Sequence, residues 1–177
     1  MPVTLPSFRY HPDPVGTGAV IASEAKCDCC DRQRGYVYRA SFYSTFEVHH
    51  LCPWCIADGA AASKYQGAFV DDYPLMEAGL SLAIVNEVAE RTPGYVSWQQ
   101  EVWQCHCDDA CEFHGDAEPH EVKAMRGDTL GQFLTTHQID AVLWERLAQS
   151  YVKGGDMAIY KFRCRHCLTW VYSMDFG

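Results

Sequence analysis

The stretch Cys52-Pro53-Trp54-Cys55 decides how the rest of the chain is interpreted. It lies downstream of a second pair, Cys27 and Cys30, and 21 residues separate the two pairs. Two cysteines three positions apart can direct both sulfur atoms at one point, so two such pairs supply the four thiolates of a tetrahedral Zn²⁺ site. The spacing therefore predicts a zinc site formed by Cys27, Cys30, Cys52 and Cys55.

A redox dithiol is the alternative interpretation of Cys52 and Cys55, because a proline beside the first cysteine suits that chemistry. The partner pair upstream favours zinc over redox chemistry. A disulfide between Cys52 and Cys55 would support the redox alternative.

The residues around this first site follow the order of a treble-clef zinc finger. Residues 35–40 and 42–51 are rich in residues that favour strands, and we predict that they pair as a hairpin. Pro53 suits the first turn of a helix, and apolar residues at helical spacing continue to Tyr65. The predicted order is therefore a cysteine knuckle, a hairpin, and a helix whose first turn carries the last two ligands.

A second zinc site is predicted in the C-terminal half. Cys164 and Cys167 form another C-x2-C pair, and Cys107 and Cys111 are its best partners, although their spacing is C-x3-C. Cys105 or His106 could replace one of these ligands. Four protein ligands would make a closed structural site, whereas three ligands and a water would make an open site capable of chemistry.

Two of the ten cysteines, Cys29 and Cys105, remain outside the eight predicted ligands. Each lies next to a ligand, so they are spare thiols, alternative ligands or oxidation-sensitive positions.

The cysteine pairs, together with the mixed helix and strand patterns, predict an α+β protein built from small zinc-stabilised modules. The chain has 177 residues and 48% hydrophobic residues, enough for a core in one domain or two small ones. We predict an N-terminal arm and treble-clef-like module over residues 1–75. Residues 76–177 are predicted to form a helical and β region with the second zinc site. Helices are expected near residues 80–91, 128–136 and 139–152, and strands at 159–163 and 168–174.

Residues 5–20 read as an extended arm, because Pro6, Pro12 and Pro14 exclude helix. The favoured expectation is that this arm packs on the surface of the core. The alternative is that His11 and Asp13 line a ligand-binding site.

The net charge and the cysteine content indicate in which compartment the protein works and what kind of partner it binds. The first residues lack the basic start and apolar run of a signal peptide, and no apolar stretch is long enough to span a membrane. Clustered cysteines then predict metal ligands in a reducing cytoplasm. The net charge of −9 argues against a partner bound through nucleic-acid phosphates, so a protein partner is expected.

The sequence favours a zinc-binding protein without catalysis, acting in interaction, regulation or stress tolerance. It contains no phosphate loop, dinucleotide fingerprint or Ser-His-Asp order. The alternative is a zinc-dependent hydrolase or nuclease that uses an open second site, and His49-His50 before Cys52 raises the nuclease idea. Whether the protein is an enzyme is left open at this point.

Over nearly its whole length the chain resembles the CbrC family of bacterial proteins. The resemblance is carried by several short segments together with the cysteine pairs: Leu5-Pro6-x-Phe8-x-Tyr10-His11-Pro12-Asp13-Pro14, Cys52-Pro53-Trp54-Cys55-Ile56-Ala57-Asp58-Gly59, Arg91-Thr92-Pro93-Gly94-Tyr95 and Trp98-Gln99 with Trp103. It implies a bacterial cytoplasmic protein with clustered cysteines, linked by name to colicin tolerance. It implies no particular reaction.

Overall fold

The computed structural model describes residues 4–177, in which short helices and short antiparallel strands are mixed. The predicted mixture of helices and strands is thus confirmed. The first three residues, on which the expectation about a signal peptide partly rests, lie outside the described residues. No helix within residues 4–177 combines the length and the apolar character that crossing a bilayer requires.

The N-terminal strands pair differently from the prediction. Strand β1 (Val20–Ala22) pairs antiparallel with β2 (Tyr36–Tyr38), and residues 42–51 form no strand beyond one bridge between Tyr43 and Ala68. The predicted hairpin of residues 35–40 with 42–51 is therefore wrong. At the end of its second half, the N–H groups of His49 and His50 donate to the Asp28 carboxylate rather than to a neighbouring strand.

Four helices follow the first cysteine-rich segment. They are α1 (Pro53–Ala57), α2 (Ala60–Tyr65), α3 (Tyr73–Glu77) and α4 (Leu82–Arg91). The helix predicted after Pro53 is divided at Gly59, whose φ of 76° lies in the left-handed region that favours glycine. The prediction for residues 80–91 agrees with α4 to within two residues, whereas α3 was not predicted.

The C-terminal half contains a hairpin and a three-stranded sheet. Strands β3 (Cys105–His106) and β4 (Asp109–Ala110) form the hairpin, and β5 (Glu112–Asp116), β6 (Met157–Arg163) and β7 (Trp170–Phe176) form the sheet in the order β5-β6-β7. Helices α5 (Pro119–Ala124), α6 (Gly127–His137) and α7 (Ala141–Ser150) lie between β5 and β6. The predictions for α6, α7, β6 and β7 are confirmed, whereas β5 and α5 were not predicted.

A single aromatic cluster lies at the centre of the main core, and it takes residues from both halves of the chain. Phe113 stacks on Tyr95 with ring centroids 4.2 Å apart, and Trp103 packs edge-on against Phe162 at 5.7 Å. Tyr10 from the N-terminal arm is fully buried in the same core, as is its neighbour His11. The arm therefore packs on the core as expected, with its aromatic side chains entering the core and other residues of the arm exposed.

Candidate metal centres

The first cluster brings together Cys27, Cys30, Cys52 and Cys55, whose sulfur atoms all lie within 4.8 Å of one another. Tetrahedral zinc with Zn–S bonds of about 2.3 Å places its sulfurs about 3.8 Å apart. The Cys30 and Cys52 sulfurs are separated by 3.9 Å. The donor set and its spacing therefore fit a zinc ion.

The first two sulfurs are carried by a tight loop. The Cys27 N–H donates to the Arg32 carbonyl at 3.0 Å, and the Asp31 N–H donates back to the Cys27 carbonyl at 2.7 Å. Asp31 has a φ of 55°, which turns the chain sharply after Cys30. The loop thus holds both sulfurs on one side of the backbone.

The other two sulfurs come from the beginning of α1. Cys52 is the residue preceding the first helical turn, and Pro53 supplies the fixed backbone angle that suits this position. The Cys52 N–H donates to the Cys27 sulfur at 3.2 Å, so the helix and the loop are joined directly at the cluster.

Hydrogen bonds stabilise one thiolate within this cluster. A hydrogen bond from the Cys52 thiol is the main cause that lowers the pKa of Cys27, and backbone N–H groups lower it further against the opposing effect of burial. The same bond raises the pKa of Cys52, which acts as the donor. Zinc ligands bind as thiolates, and Cys27 already favours that form.

Side chains from α2 support the loop from outside. The Lys64 ammonium donates to the carbonyls of Asp28 and Cys29, at 2.9 Å each, and the Tyr65 hydroxyl donates to the Asp28 carbonyl at 2.6 Å. The Asp28 carboxylate accepts from the N–H groups of His49 and His50 at 2.7 and 2.9 Å. His49 and His50 therefore serve the loop through their backbone, and neither side chain joins the cluster.

The second cluster contains His106, Cys107, Cys164 and Cys167, with one ligand atom from each within 4.8 Å of the others. The His106 Nδ1 atom lies 3.1 Å from the Cys107 sulfur and 3.3 Å from the Cys167 sulfur. Three sulfurs and one imidazole nitrogen are a common ligand set for zinc. This cluster, too, could hold a metal ion.

The loop of the second cluster repeats the loop of the first. The Cys164 N–H donates to the Thr169 carbonyl at 2.9 Å, and the Leu168 N–H donates to the Cys164 carbonyl at 3.1 Å. Leu168 has a φ of 63°, at the position that Asp31 occupies in the first loop. An unfavourable left-handed residue at the same place in both loops indicates that the same arrangement of sulfurs is being held.

The partner of this loop is the tip of the β3–β4 hairpin. Cys107 and Asp108 form its two-residue turn, with φ values of 53° and 56°, as a type I′ turn requires. The turn directs His106 and Cys107 toward Cys164 and Cys167. Cys111, the predicted fourth ligand, lies beyond β4 and is fully buried, and its carbonyl accepts from the Trp103 indole at 2.9 Å. The structure thus brings His106, which the sequence indicated as an alternative, rather than Cys111 close to Cys107, Cys164 and Cys167.

Three cysteines lie outside both clusters: Cys29, Cys105 and Cys111. Cys29 and Cys105 are half-buried, whereas Cys111 is buried. All ten cysteines belong to the described residues, and none of them forms a disulfide.

A buried carboxylate, Asp109, organises the surroundings of the second cluster. It accepts from the Tyr10 hydroxyl at 2.6 Å, from His166 Nε2 at 3.0 Å and from the Arg165 guanidinium at 3.3 Å. Burial alone would raise the pKa of Asp109, but hydrogen bonds from Tyr10 and His166 outweigh burial and lower it. The charged carboxylate therefore links the arm, β4 and the second cysteine loop.

His11 and Asp13, the predicted ligand-binding pair, do not form a common site. His11 is fully buried, and its ring nitrogens lie 2.8 Å from the Pro93 carbonyl and 2.7 Å from the Thr17 hydroxyl. Asp13 is exposed and accepts from the Gly16 N–H at 2.8 Å, which closes a local turn. The polar atoms of both side chains therefore have hydrogen-bond partners in the arm or in the segment packed against it.

The two clusters differ in exposure. In the first, Cys27, Cys52 and Cys55 are buried and Cys30 is half-buried. In the second, Cys164 is buried but Cys107 and Cys167 are exposed. The sequence predicted a second site less regular in its spacing than the first, but the spacing did not show this difference in exposure.

Comparison with known proteins identifies the family. A family model described as an uncharacterised protein family, UPF0167, matches residues 5–176. The chain is 50% identical over 174 residues to the UPF0167 protein PA1536 of Pseudomonas aeruginosa, which covers 97% of each chain. It is 37% identical over 179 residues to the UPF0167 protein Mb2317 of Mycobacterium bovis, which covers 99% of this chain and 96% of the relative. No solved structure matched the chain. The chain therefore belongs to the UPF0167 family.

Proposed function

We propose that the protein binds two zinc ions at closed structural sites and works as an interaction or regulatory protein in the cytoplasm. The observation that carries the proposal is the repeated loop. The loops around Cys27–Cys30 and Cys164–Cys167 have the same pair of backbone hydrogen bonds and a left-handed residue at the same position. Each loop faces two further donor side chains, so each site has four protein ligands. Four protein ligands are typical of structural rather than catalytic zinc.

The first site is proposed to be treble-clef-like in its ligand arrangement. A cysteine loop supplies one pair, and the first turn of α1 supplies the other. Its hairpin differs from the usual order, because β2 pairs with β1 rather than with the residues that follow it.

A protein partner is proposed in preference to nucleic acid. The net charge of −9 opposes binding through phosphates, which depends on basic side chains. The resemblance to the CbrC family extends this proposal to a role in colicin tolerance. A hydrolase would need one of the four ligands of the second site to give way to a water, and the ligand set favours the non-catalytic role.

Metal content tests the proposal. Protein purified without chelators should contain two zinc ions per chain. X-ray absorption should report seven sulfurs and one nitrogen shared by the two ions, four sulfurs at the first site and three sulfurs with one nitrogen at the second. The variant Cys30→Ser should retain one ion, because it removes a ligand of the first site.

Cys29→Ser is the matched control, since it changes the neighbouring cysteine, which lies outside the cluster. It should retain both ions. A chain that holds fewer than two ions, or that folds equally well after complete chelation, would contradict the proposal.

A further inference from the structure

The second cluster exposes some of its sulfurs selectively. Cys107 and Cys167 are exposed, whereas the third sulfur of the cluster, that of Cys164, is fully buried. In the first cluster, Cys27 and Cys52 are each only 1% exposed. Since the reactivity of a cysteine toward oxidants depends on access, the two clusters should respond differently to the same oxidant.

The two exposed sulfurs are also close to each other. Both lie beside the same His106 Nδ1 atom, at 3.1 and 3.3 Å, and their own separation is within 4.8 Å. A disulfide requires a sulfur–sulfur distance of about 2.0 Å, so the two atoms need to approach by less than about 3 Å. Cys107 lies in the two-residue turn and Cys167 in the cysteine loop, and both side chains are exposed, so neither is enclosed on all sides by the core.

We propose that Cys107 and Cys167 form an oxidation site, at which a peroxide converts the pair to a disulfide and releases zinc from the second cluster while the first cluster keeps its ion. This inference rests on the proposed function, because it requires zinc at both clusters. It adds a modification site and the chemical class of its reagent.

The reaction balances with a peroxide as the oxidant. One thiolate attacks the peroxide, the O–O bond breaks, and a sulfenic acid and hydroxide form when the reagent is hydrogen peroxide; the hydroxide takes up a proton from the solvent to become water. The second thiolate attacks that sulfenic sulfur, forms the S–S bond and expels hydroxide, which takes up a proton to become a second water. The two sulfurs lose two electrons in total, the peroxide gains them, and zinc leaves as Zn²⁺ without a change of oxidation state.

Loss of these two ligands leaves only His106 and Cys164 at the second cluster. Two protein ligands do not hold zinc as four do, so the ion should dissociate when the disulfide forms. The buried first cluster offers the peroxide no comparable pair, since three of its four sulfurs are buried.

The test uses the full zinc-loaded chain, treated with increasing hydrogen peroxide in the presence of a chromogenic chelator. Metal content is measured before treatment, and differential alkylation with mass spectrometry locates the disulfide afterwards. We expect two ions per chain before peroxide and the release of one of them, in step with a Cys107–Cys167 disulfide. Dithiothreitol with added zinc should restore the second ion.

The variants Cys29→Ser and Cys105→Ser are controls, since each removes a half-buried cysteine next to a cluster without removing a ligand. Both should release one ion as the unaltered chain does. Release of both ions together, release of neither, or a disulfide that uses Cys105 would overturn the inference while leaving the proposed function intact. Fewer than two ions before peroxide would overturn both.

Discussion

His11 is a histidine held neutral in the interior. Both ring nitrogens have partners, Pro93 on one side and Thr17 on the other, and the ring packs edge-on against Phe113 with centroids 5.0 Å apart. Burial lowers the pKa of His11 from 6.5 to about 4, although the bond to Pro93 opposes the shift. Its role is therefore to fasten the arm to the segment after α4 rather than to bind a ligand.

The free energy of unfolding should consequently fall in acid. Below pH 6.5 the unfolded chain takes up a proton at His11, whereas the folded chain does so only near pH 4, so acid favours unfolding in this window. The contribution of neutral His11 to the free energy of unfolding is complete above pH 6.5 and is lost as the pH falls toward 4. At about 1.4 kcal/mol per pKa unit, this contribution is about 3 kcal/mol. Urea denaturation at several pH values measures this loss.

Metal binding by the cysteine clusters would also weaken in acid, so the variant His11→Asn is needed to isolate the effect of His11. The variant should be less stable at pH 7 and should lose less stability between pH 6.5 and 4 than the unaltered chain. Equal losses in both proteins would show that His11 does not carry the effect.

The sequence could not show that His11 is buried. Its neighbours Pro12 and Pro14 remove the periodicity from which burial is inferred, and a histidine beside Asp13 resembles a binding pair. What decides its role is contact with Pro93, 82 residues away in the chain.

At the scale of elements, the β3–β4 hairpin determines the ligands of the second cluster. Two-residue hairpins are usually marked by Asn-Gly or Asp-Gly, which tolerate positive φ, but here the turn is Cys107-Asp108. The usual signal was therefore missing, and regular spacing made Cys111 the expected partner of Cys107. Knowledge of the turn would have favoured His106, the residue adjacent to it.

Asp109 holds this hairpin against the arm and the second cysteine loop. The substitution Asp109→Asn should therefore destabilise the attachment of the hairpin. The change removes a buried charge that pairs with Arg165 and accepts from Tyr10 and His166. Disrupting a buried charged network costs about 3 kcal/mol in unfolding free energy. Zinc affinity at the second cluster should fall as well, since His166 lies within the cysteine loop, and a competing chelator measures that affinity.

Asp108→Asn is the matched control, one residue away in the same hairpin. Asp108 is exposed, and asparagine tolerates its left-handed backbone, so stability should change by less than about 0.5 kcal/mol. If the two substitutions had similar effects, the network around Asp109 would not be what anchors the hairpin.

At the scale of the whole molecule, one core includes residues from both predicted halves. The sequence predicted a division between residues 75 and 76, and the core cluster contains Phe69 from one side and Phe162 from the other. The Phe113 N–H also donates to the Tyr10 carbonyl at 2.8 Å, across more than 100 positions of sequence. The spacing of nearby residues identifies helices and pairs of metal-binding cysteines, but it does not show contacts between residues about 100 positions apart.

Trp103 lies in this shared core, so Trp103→Phe should destabilise the whole chain. The side chain is 2% exposed, and its indole N–H donates to the Cys111 carbonyl at 2.9 Å. A cavity and a carbonyl left without its donor together cost about 2–3 kcal/mol. Urea unfolding followed by circular dichroism should show one transition at lower urea, with release of both zinc ions in the same range.

Trp98→Phe provides the comparison, because Trp98 is 54% exposed and should tolerate the change to within about 0.5 kcal/mol. Two separate transitions, with one zinc ion released in each, would show instead that the halves unfold independently.

The two candidate metal centres are built on the same six-residue cysteine loop. Residues 27–32 and 164–169 are each six residues long and close with the same pair of backbone hydrogen bonds. The cysteine loop alone does not determine the donor atoms or the solvent exposure of the centre. Where the start of a helix faces the loop, the four donor atoms are all sulfurs and mostly buried; where the tip of a hairpin faces it, the donors are three sulfurs and one nitrogen, and two of the sulfurs are exposed. If residues 27–32 and 164–169 were exchanged, each centre should therefore keep the donor atoms and the solvent exposure of the position where the loop is placed.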